Sequence, residues 1–433
     1  MNIFKKTLPL LAAGVSLILA ASCSQIPPSE PVAAASATTT LATLPERPSV
    51  SPQAQALADN TLIIDTHIDV PYRIYRNPVN VSEATDSGDF DYPRAVSGGL
   101  NAPFMSIYIP ATVDEAGTAF QFAEQAIASV EQLAAQNPDK FAVATCSADL
   151  AAHFASGVIS LPMGMENGGP VAGSNDNLSH FFERGIRYIT LTHSKSNHIS
   201  DSSYDPNEHW QGLSPFGQDL IGEMNRLGVM IDVSHISDLA FWQVLERSAT
   251  PVLATHSSMR HFTPGFQRNM SDDMVKAMAA AGGVIQINYG SNFLHEASQA
   301  YSQARRAALN AYKAANHLAD DDPLLLKFAE RYRAENAYPF ATLDTVLDHI
   351  DRVVELAGIH AVGLGSDYDG VGDSLPVGLK DVASYPNLIQ GLLDRGYSSD
   401  DIEKILSGNT LRVWRAVEDY AAQQGTPPQC RSL

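Results

Sequence analysis

Residues 62–71, LIIDTHIDVP, run from an apolar segment straight into two acids and a histidine. Leu62, Ile63 and Ile64 have the apolar, strand-length character of a parallel strand buried on both faces. In His67-Ile68-Asp69 the first and third residues share one side of an extended chain, so both can aim at one ion while Ile68 packs outward. Asp65 has two readings: a partner that orients a histidine, or a hydrogen-bonded residue of the strand.

Seven further segments repeat the plan. They are FMSIYIP (104–110), VISLPMGMEN (158–167), IRYITLTH (186–193), VMIDVSH (229–235), PVLATHS (251–257), GVIQINYG (283–290) and AVGLGSDYDG (361–370). Helical patterns lie between them, such as SPFGQDLIGEMNRLG and SDLAFWQVLERS. Gly228 and Gly282 stand at helix ends, just before the next strand. Eight βα units predict an α/β fold, a (β/α)8 TIM barrel, as one catalytic domain over residues 59–425. The largest insertion, residues 291–340, falls between the seventh and eighth strands. SQARRAALNAYKAANHL and DPLLLKFAERYRAEN make it helical, an excursion over the active face.

The termini read differently. Residues 1–22 combine a basic start, an apolar run too short for a confident membrane span and small residues, the pattern of a signal peptide. Ala20, Ala21 and Ser22 before Cys23 resemble a bacterial lipobox, which makes Cys23 a lipidation site and membrane association a matter of the N-terminal lipid only. Ordinary cleavage nearby would leave a soluble periplasmic protein. Residues 23–58, rich in Pro, Ala, Ser and Thr, read as a flexible tether. Residues 426–433 read as an irregular tail. Export exposes Cys146 and Cys430 to oxidation, so the two either pair or leave a free, buried Cys146. The net charge of −20 argues against nucleic acid as a partner.

In such a barrel the carboxyl ends of all strands meet at one face. His67 and Asp69 end the first strand, Glu166 the third, His193 the fourth, His235 the fifth, His256 the sixth and Asp367 the eighth. Imidazoles and carboxylates suit borderline divalent ions such as zinc. A carboxylate such as Glu166 can bridge two ions ~3.5–4 Å apart, with His235 and His256 completing the second ion's shell. Each residue alone has a plainer reading. A single strand-end histidine is more often structural, Asp69 can cap the next helix, Glu166 can be a loop carboxylate, and Asp367 and Asp369 can be turn residues. Together at matching strand ends they point to a metallohydrolase. His153, His180, His209, His295, His317, His349 and His360 read as structural or surface residues. His198 and His261 lie near the site in sequence and receive no role.

The stretches DTHIDVP, GMENG, YITLTHS, IDVSHISD, ATHSSMRHF, RNMSDD, VGLGSDYDGV and ILSGNTLRVW together resemble the membrane (renal-type) dipeptidases, a binuclear-zinc branch of the amidohydrolase-like barrels. The resemblance implies two Zn2+ per chain bridged by Glu166, with His67 and Asp69 on the first ion and His235 and His256 on the second. It implies Asp367 as the acid that exchanges protons with the attacking water and the leaving amine. It implies His193 as the residue that meets the substrate and steadies its oxyanion, and Arg268 as the partner of the substrate's terminal carboxylate. A small peptide substrate, a homodimer and a periplasmic, lipid-anchored enzyme are the accompanying expectations. The activity implied is hydrolysis of dipeptides, including those with a C-terminal D-residue. A dedicated non-dipeptide amide or peptide-derived metabolite is the rival substrate. A non-catalytic peptide-binding lipoprotein is a third reading, disfavoured by the intact acid and ligand set. Two departures touch the substrate side: Lys195 stands where the animal enzymes carry a cysteine, and the 291–340 insertion is longer than theirs.

Overall fold

A computed structural model describes residues 49–431. The signal segment, Cys23 and the tether as far as residue 48 lie outside the described residues. Among the described residues no helix is long and apolar enough to cross a membrane.

Each of the eight segments contains one barrel strand: β1 Ile64–Ile68, β2 Ala102–Tyr108, β3 Met163–Glu166, β4 Ile186–Thr190, β5 Met230–Asp232, β6 Leu253–Ser257, β7 Val284–Ile287 and β8 Val362–Leu364. They form one parallel sheet in sequential order. The seam between first and last strands closes just beyond β8. There Ile68 bridges Tyr368, the Asp69 N–H donates to Tyr368 O (2.9 Å), and the Asp367 N–H donates to His67 O (3.1 Å).

Successive side chains of a strand go to opposite faces, and the first strand shows the result. Ile63 joins the outer core beneath the helices, while Ile64 joins an inner cluster with Phe104, Tyr188, Met230, Leu253 and Val284. Val413, Trp414 and Val417 of the helix Asn409–Gln423 belong to that inner cluster too. The barrel is therefore filled rather than hollow, and its chemistry is confined to the mouth. Serines begin several outer helices: Ser214, Ser237 and Ser271 each accept an N–H from the first turn. Gly228 (φ 86°) and Gly282 (φ 81°) take the left-handed conformation expected of helix stops.

Two sequence expectations are corrected, and one strand is added. The tether ends earlier than residue 58, because Pro52–Asn60 is a helix capped by Ser51 that buries Ala54 and Ala58. Its two buried alanines are four residues apart, a helical spacing that the low-complexity composition concealed. The 158–167 segment is two strands parted by Pro162: Ile159–Leu161 pairs with Phe141–Val143 outside the barrel, and only Met163–Glu166 enters it. Phe141–Val143 itself was not anticipated. The tail expected at residues 426–433 is irregular over its described part, yet it is anchored. Residues 426–431 have no regular structure, but Cys430 is disulfide-bonded to Cys146 and Gln429 O accepts from the Thr145 hydroxyl at 2.6 Å. The insertion is helical as expected, with Ser291–Leu294, Glu296–Asn316 and Pro323–Glu335.

Candidate active site

The strand ends bring His67, Asp69, Glu166, His193, His235, His256 and Asp367 into one cluster. Their ligand atoms fall into overlapping triads within 4.8 Å: His67-Glu166-His256, Glu166-His193-His235 and His67-Asp69-Asp367. Glu166 is the hub. Its Oε1 lies 3.0 Å from His235 Nε2 and 3.2 Å from His256 Nε2, and its Oε2 lies 3.5 Å from His67 Nε2. His67 Nε2 is 3.7 Å from Asp69 Oδ2. His193 sits at the rim, its Nε2 3.7 Å from Glu166 Oε1 and its ring edge-on to Tyr108.

Local backbone irregularities aim these groups. The pairing register of β1 shifts between Asp65 and Ile68, and that of β6 between Ala254 and Ser257. Each shift spans a Thr-His pair, Thr66-His67 and Thr255-His256, and such bulges re-aim side chains. The two imidazoles stack at 3.7 Å. His235 (φ 71°) and Asp367 (φ 64°) occupy the left-handed region, which is strained for a residue with a side chain. Asp69 occupies the N-cap position of the helix Val70–Arg76 without making a side-chain cap bond, so its carboxylate stays with the cluster.

Hydroxyls fix the imidazoles. Tyr188 Oη lies 2.9 Å from His67 Nδ1, and Thr255 Oγ1 lies 2.8 Å from His256 Nδ1. Thr255 in turn donates to Asp232 Oδ2 at 2.7 Å. Both contacts turn Nε2 toward Glu166. Asn288, from the end of β7, donates to Asp367 Oδ2 at 2.7 Å. Sequence reading missed Tyr188, Asp232, Thr255 and Asn288. Tyr188 and Thr255 lay inside the quoted motifs, but an inward tyrosine on an apolar strand reads as core. It also missed Gly370: a Cβ there would lie 2.2 Å from Asp69 Oδ2 and 2.3 Å from Asp367 Oδ1.

Burial opposes ionisation of Glu166, yet His67 and His193, with hydrogen bonds from His235 and His256, hold its carboxyl well below the usual range. Burial, together with the nearby Arg268 charge, pushes His235 and His256 well below the ordinary histidine value. Burial also pushes Asp367 up to about 7, opposed by His67 and reinforced by Asp69 and Glu166. His67 Nε2 and Asp69 Oδ1 are buried with no hydrogen-bond partner. An ionised hub, the His235 and His256 imidazoles held neutral and turned inward, and orphaned ligand atoms together fit divalent metal.

Arg268 is buried beside this cluster. It donates to Ser257 Oγ (2.8 Å) and His256 O (2.9 Å), and its Nε has no partner. Asp65 serves the barrel seam. Its Oδ1 accepts the N–H groups of His67 (3.1 Å) and Ser366 (3.0 Å), and its Oδ2 accepts the Tyr385 hydroxyl. Asp369 pairs with Arg73 at 2.7 Å. Lys195 lines a cavity with Asp114, Asn167 and His198. Neither His198 nor His261 enters the donor triads.

A filled parallel barrel with histidines and carboxylates converging at its mouth defines a metal-dependent hydrolase. The family model of the membrane dipeptidases (peptidase family M19) matches residues 51–427, and the chain belongs to that family. A dipeptidase of Aspergillus oryzae, aclJ, is 32% identical over 358 residues, covering 80% of this chain and 75% of the relative. The crystal structure of the probable dipeptidase PvdM from Pseudomonas aeruginosa superposes with a TM-score of 0.73 at 28% identity, covering 85% of this chain and 98% of that one. A metallopeptidase from Rhodobacter sphaeroides, liganded with a phosphinate mimic of the dipeptide L-Ala-D-Ala, shares the fold. Its TM-score is 0.67 at 24% identity, covering 83% of this chain and all of that one. The chain is a dipeptidase-class metallohydrolase.

Proposed function

We propose that the protein is an exported dipeptidase that works with two zinc ions, the first held by His67, Asp69 and Glu166 and the second by Glu166, His235 and His256. The single observation that carries this is the position of Glu166, whose two oxygens face different imidazoles. Bound there, the ions would polarise the scissile carbonyl and acidify the attacking water. The chain's own groups do the rest. Asp367, steadied through Oδ2 by Asn288, takes the proton from the water and returns it to the leaving amine. His193, at the rim, donates to the oxyanion. Arg268 receives the substrate's terminal carboxylate, for which its planar fork is suited. The Rhodobacter enzyme's ligand mimics L-Ala-D-Ala, which makes that dipeptide the first substrate to try. The signal-like residues 1–22 and Cys23 support a lipid-anchored periplasmic form, and the family resemblance supports a homodimer.

The test compares wild type with Asp367→Asn on a dipeptide panel, with zinc per chain measured in both. Turnover is expected to fall by at least about 100-fold with two zinc ions retained. Wild-type protein that holds two metals yet cleaves no dipeptide overturns the proposal.

A further inference from the structure

The insertion between β7 and β8 lines a cavity of about 540 Å³. One side of it is aromatic, formed by Tyr204, Phe266 and Phe293, with successive ring centroids 6.0 and 5.9 Å apart. Two of these rings also border the active site. The Tyr204 ring is 5.8 Å from that of His235, and the Arg268 guanidinium lies 5.3 Å over the Phe293 ring. The helix Glu296–Asn316 brings Arg305, Arg306 and Lys313 to the same cavity.

These cations are not equivalent. Lys313 is paired with Asp320. Arg305 and Arg306 form no ion pair among the described residues, and Arg305 Nε is buried without a hydrogen-bond partner. The chain carries 28 basic and 48 acidic residues, and several arginines elsewhere on its surface find carboxylates, as Arg352 does with Asp272 and Arg395 with Asp351. Two guanidiniums without a carboxylate partner therefore line a cavity with one aromatic side, and the acid in that lining, Asp320, is taken up by Lys313.

We propose that this cavity is a subsite for a second anionic group on the substrate. With the terminal carboxylate on Arg268, the side-chain carboxylate of an acidic C-terminal residue passes the edge of Phe293 and meets Arg305 and Arg306. The inference rests on the dipeptidase reading for its substrate class, but the subsite can be measured apart from it.

Metal-loaded wild type and the Arg305→Gln/Arg306→Gln double variant are assayed with Ala-Glu and Ala-Gln, isosteric but differing in charge. Calorimetry measures the binding of free glutamate and glutamine to both proteins. The expected wild-type preference for the acid is about 10-fold in kcat/KM and in affinity, shrinking with added salt and falling to about 1 in the double variant. A wild-type ratio near 1, or a preference that survives the double substitution, overturns the subsite. If the binding preference behaves as expected but no dipeptide is cleaved, the subsite stands and the dipeptidase reading falls. If Ala-Ala is cleaved while both ratios are near 1, the reverse holds.

Discussion

Tyr188 holds His67: its hydroxyl lies 2.9 Å from His67 Nδ1, and its ring packs against Phe104 in the inner cluster. The barrel's filling thus positions a candidate ligand, a task often given to a carboxylate or backbone carbonyl. Tyr188→Phe keeps the packing and removes the hydroxyl. Metal affinity is expected to fall by about 10–100-fold with little change in unfolding temperature. Competition against a chelator of known affinity measures the first, and a thermal melt the second.

Gly370 has no room for a side chain, because Asp69 and Asp367 press against it. Gly370→Ala must displace one carboxylate or the other. A shift of about 1 Å at such a site costs about 100-fold in turnover. Steady-state kinetics at saturating zinc give the size of the loss, and retention of full activity would show that the loop yields freely.

Asp65 replaces strand-ladder bonds at the barrel seam, accepting two N–H groups and a tyrosine hydroxyl. Asp65→Ala leaves these donors buried and unpaired, at a cost of about 3 kcal/mol. Asp65→Asn should be milder, since its carbonyl still accepts both N–H groups and Tyr385 can rotate to accept instead of donate. Urea unfolding of the two variants discriminates them.

His349 is buried, with the Met259 N–H donating to its Nδ1 at 3.0 Å and its Nε2 2.9 Å from Leu294 O. Burial pushes it down to about 4. Above pH 6.5 it is neutral folded or unfolded and contributes no pH dependence. Between pH 6.5 and 4 the unfolded chain binds a proton that the native state refuses, so stability falls as pH falls, by up to about 3 kcal/mol. His349→Gln keeps a donor and an acceptor in the side chain and does not titrate. The difference between the two proteins' stability profiles should carry this slope, and parallel profiles would refute it.

The Cys146–Cys430 bond ties the last described residues to the start of the helix Ser147–Ser156. Reduction, or Cys146→Ser, is expected to lower stability by about 2–4 kcal/mol. The comparison is between denaturant midpoints with and without reductant.

The strands and their polar ends were legible because strand and helix periods are local properties of a chain. Once LIIDTHIDVP is read as a parallel strand among eight, convergence of His67, Asp69, Glu166, His193, His235, His256 and Asp367 follows from barrel topology. The helix at Pro52–Asn60 was not legible, since Ala54 and Ala58 look like low-complexity sequence until something covers them.

What the sequence by itself determined is the barrel, the order of its strands and the set of residues at its mouth. Only the tertiary structure decided how each residue serves. Asp65 turned to backbone N–H groups at the seam rather than to a histidine ring, and Tyr188 met the His67 ring instead. His235 and Asp367 entered left-handed conformations that their residue types do not signal. Arg305 and Arg306 met a cavity whose far wall comes from Tyr204 and Phe266, residues of two earlier βα loops. Side-chain aim at a strand end depends on bulges, seams and packing from distant segments, and none of these has a local period to read.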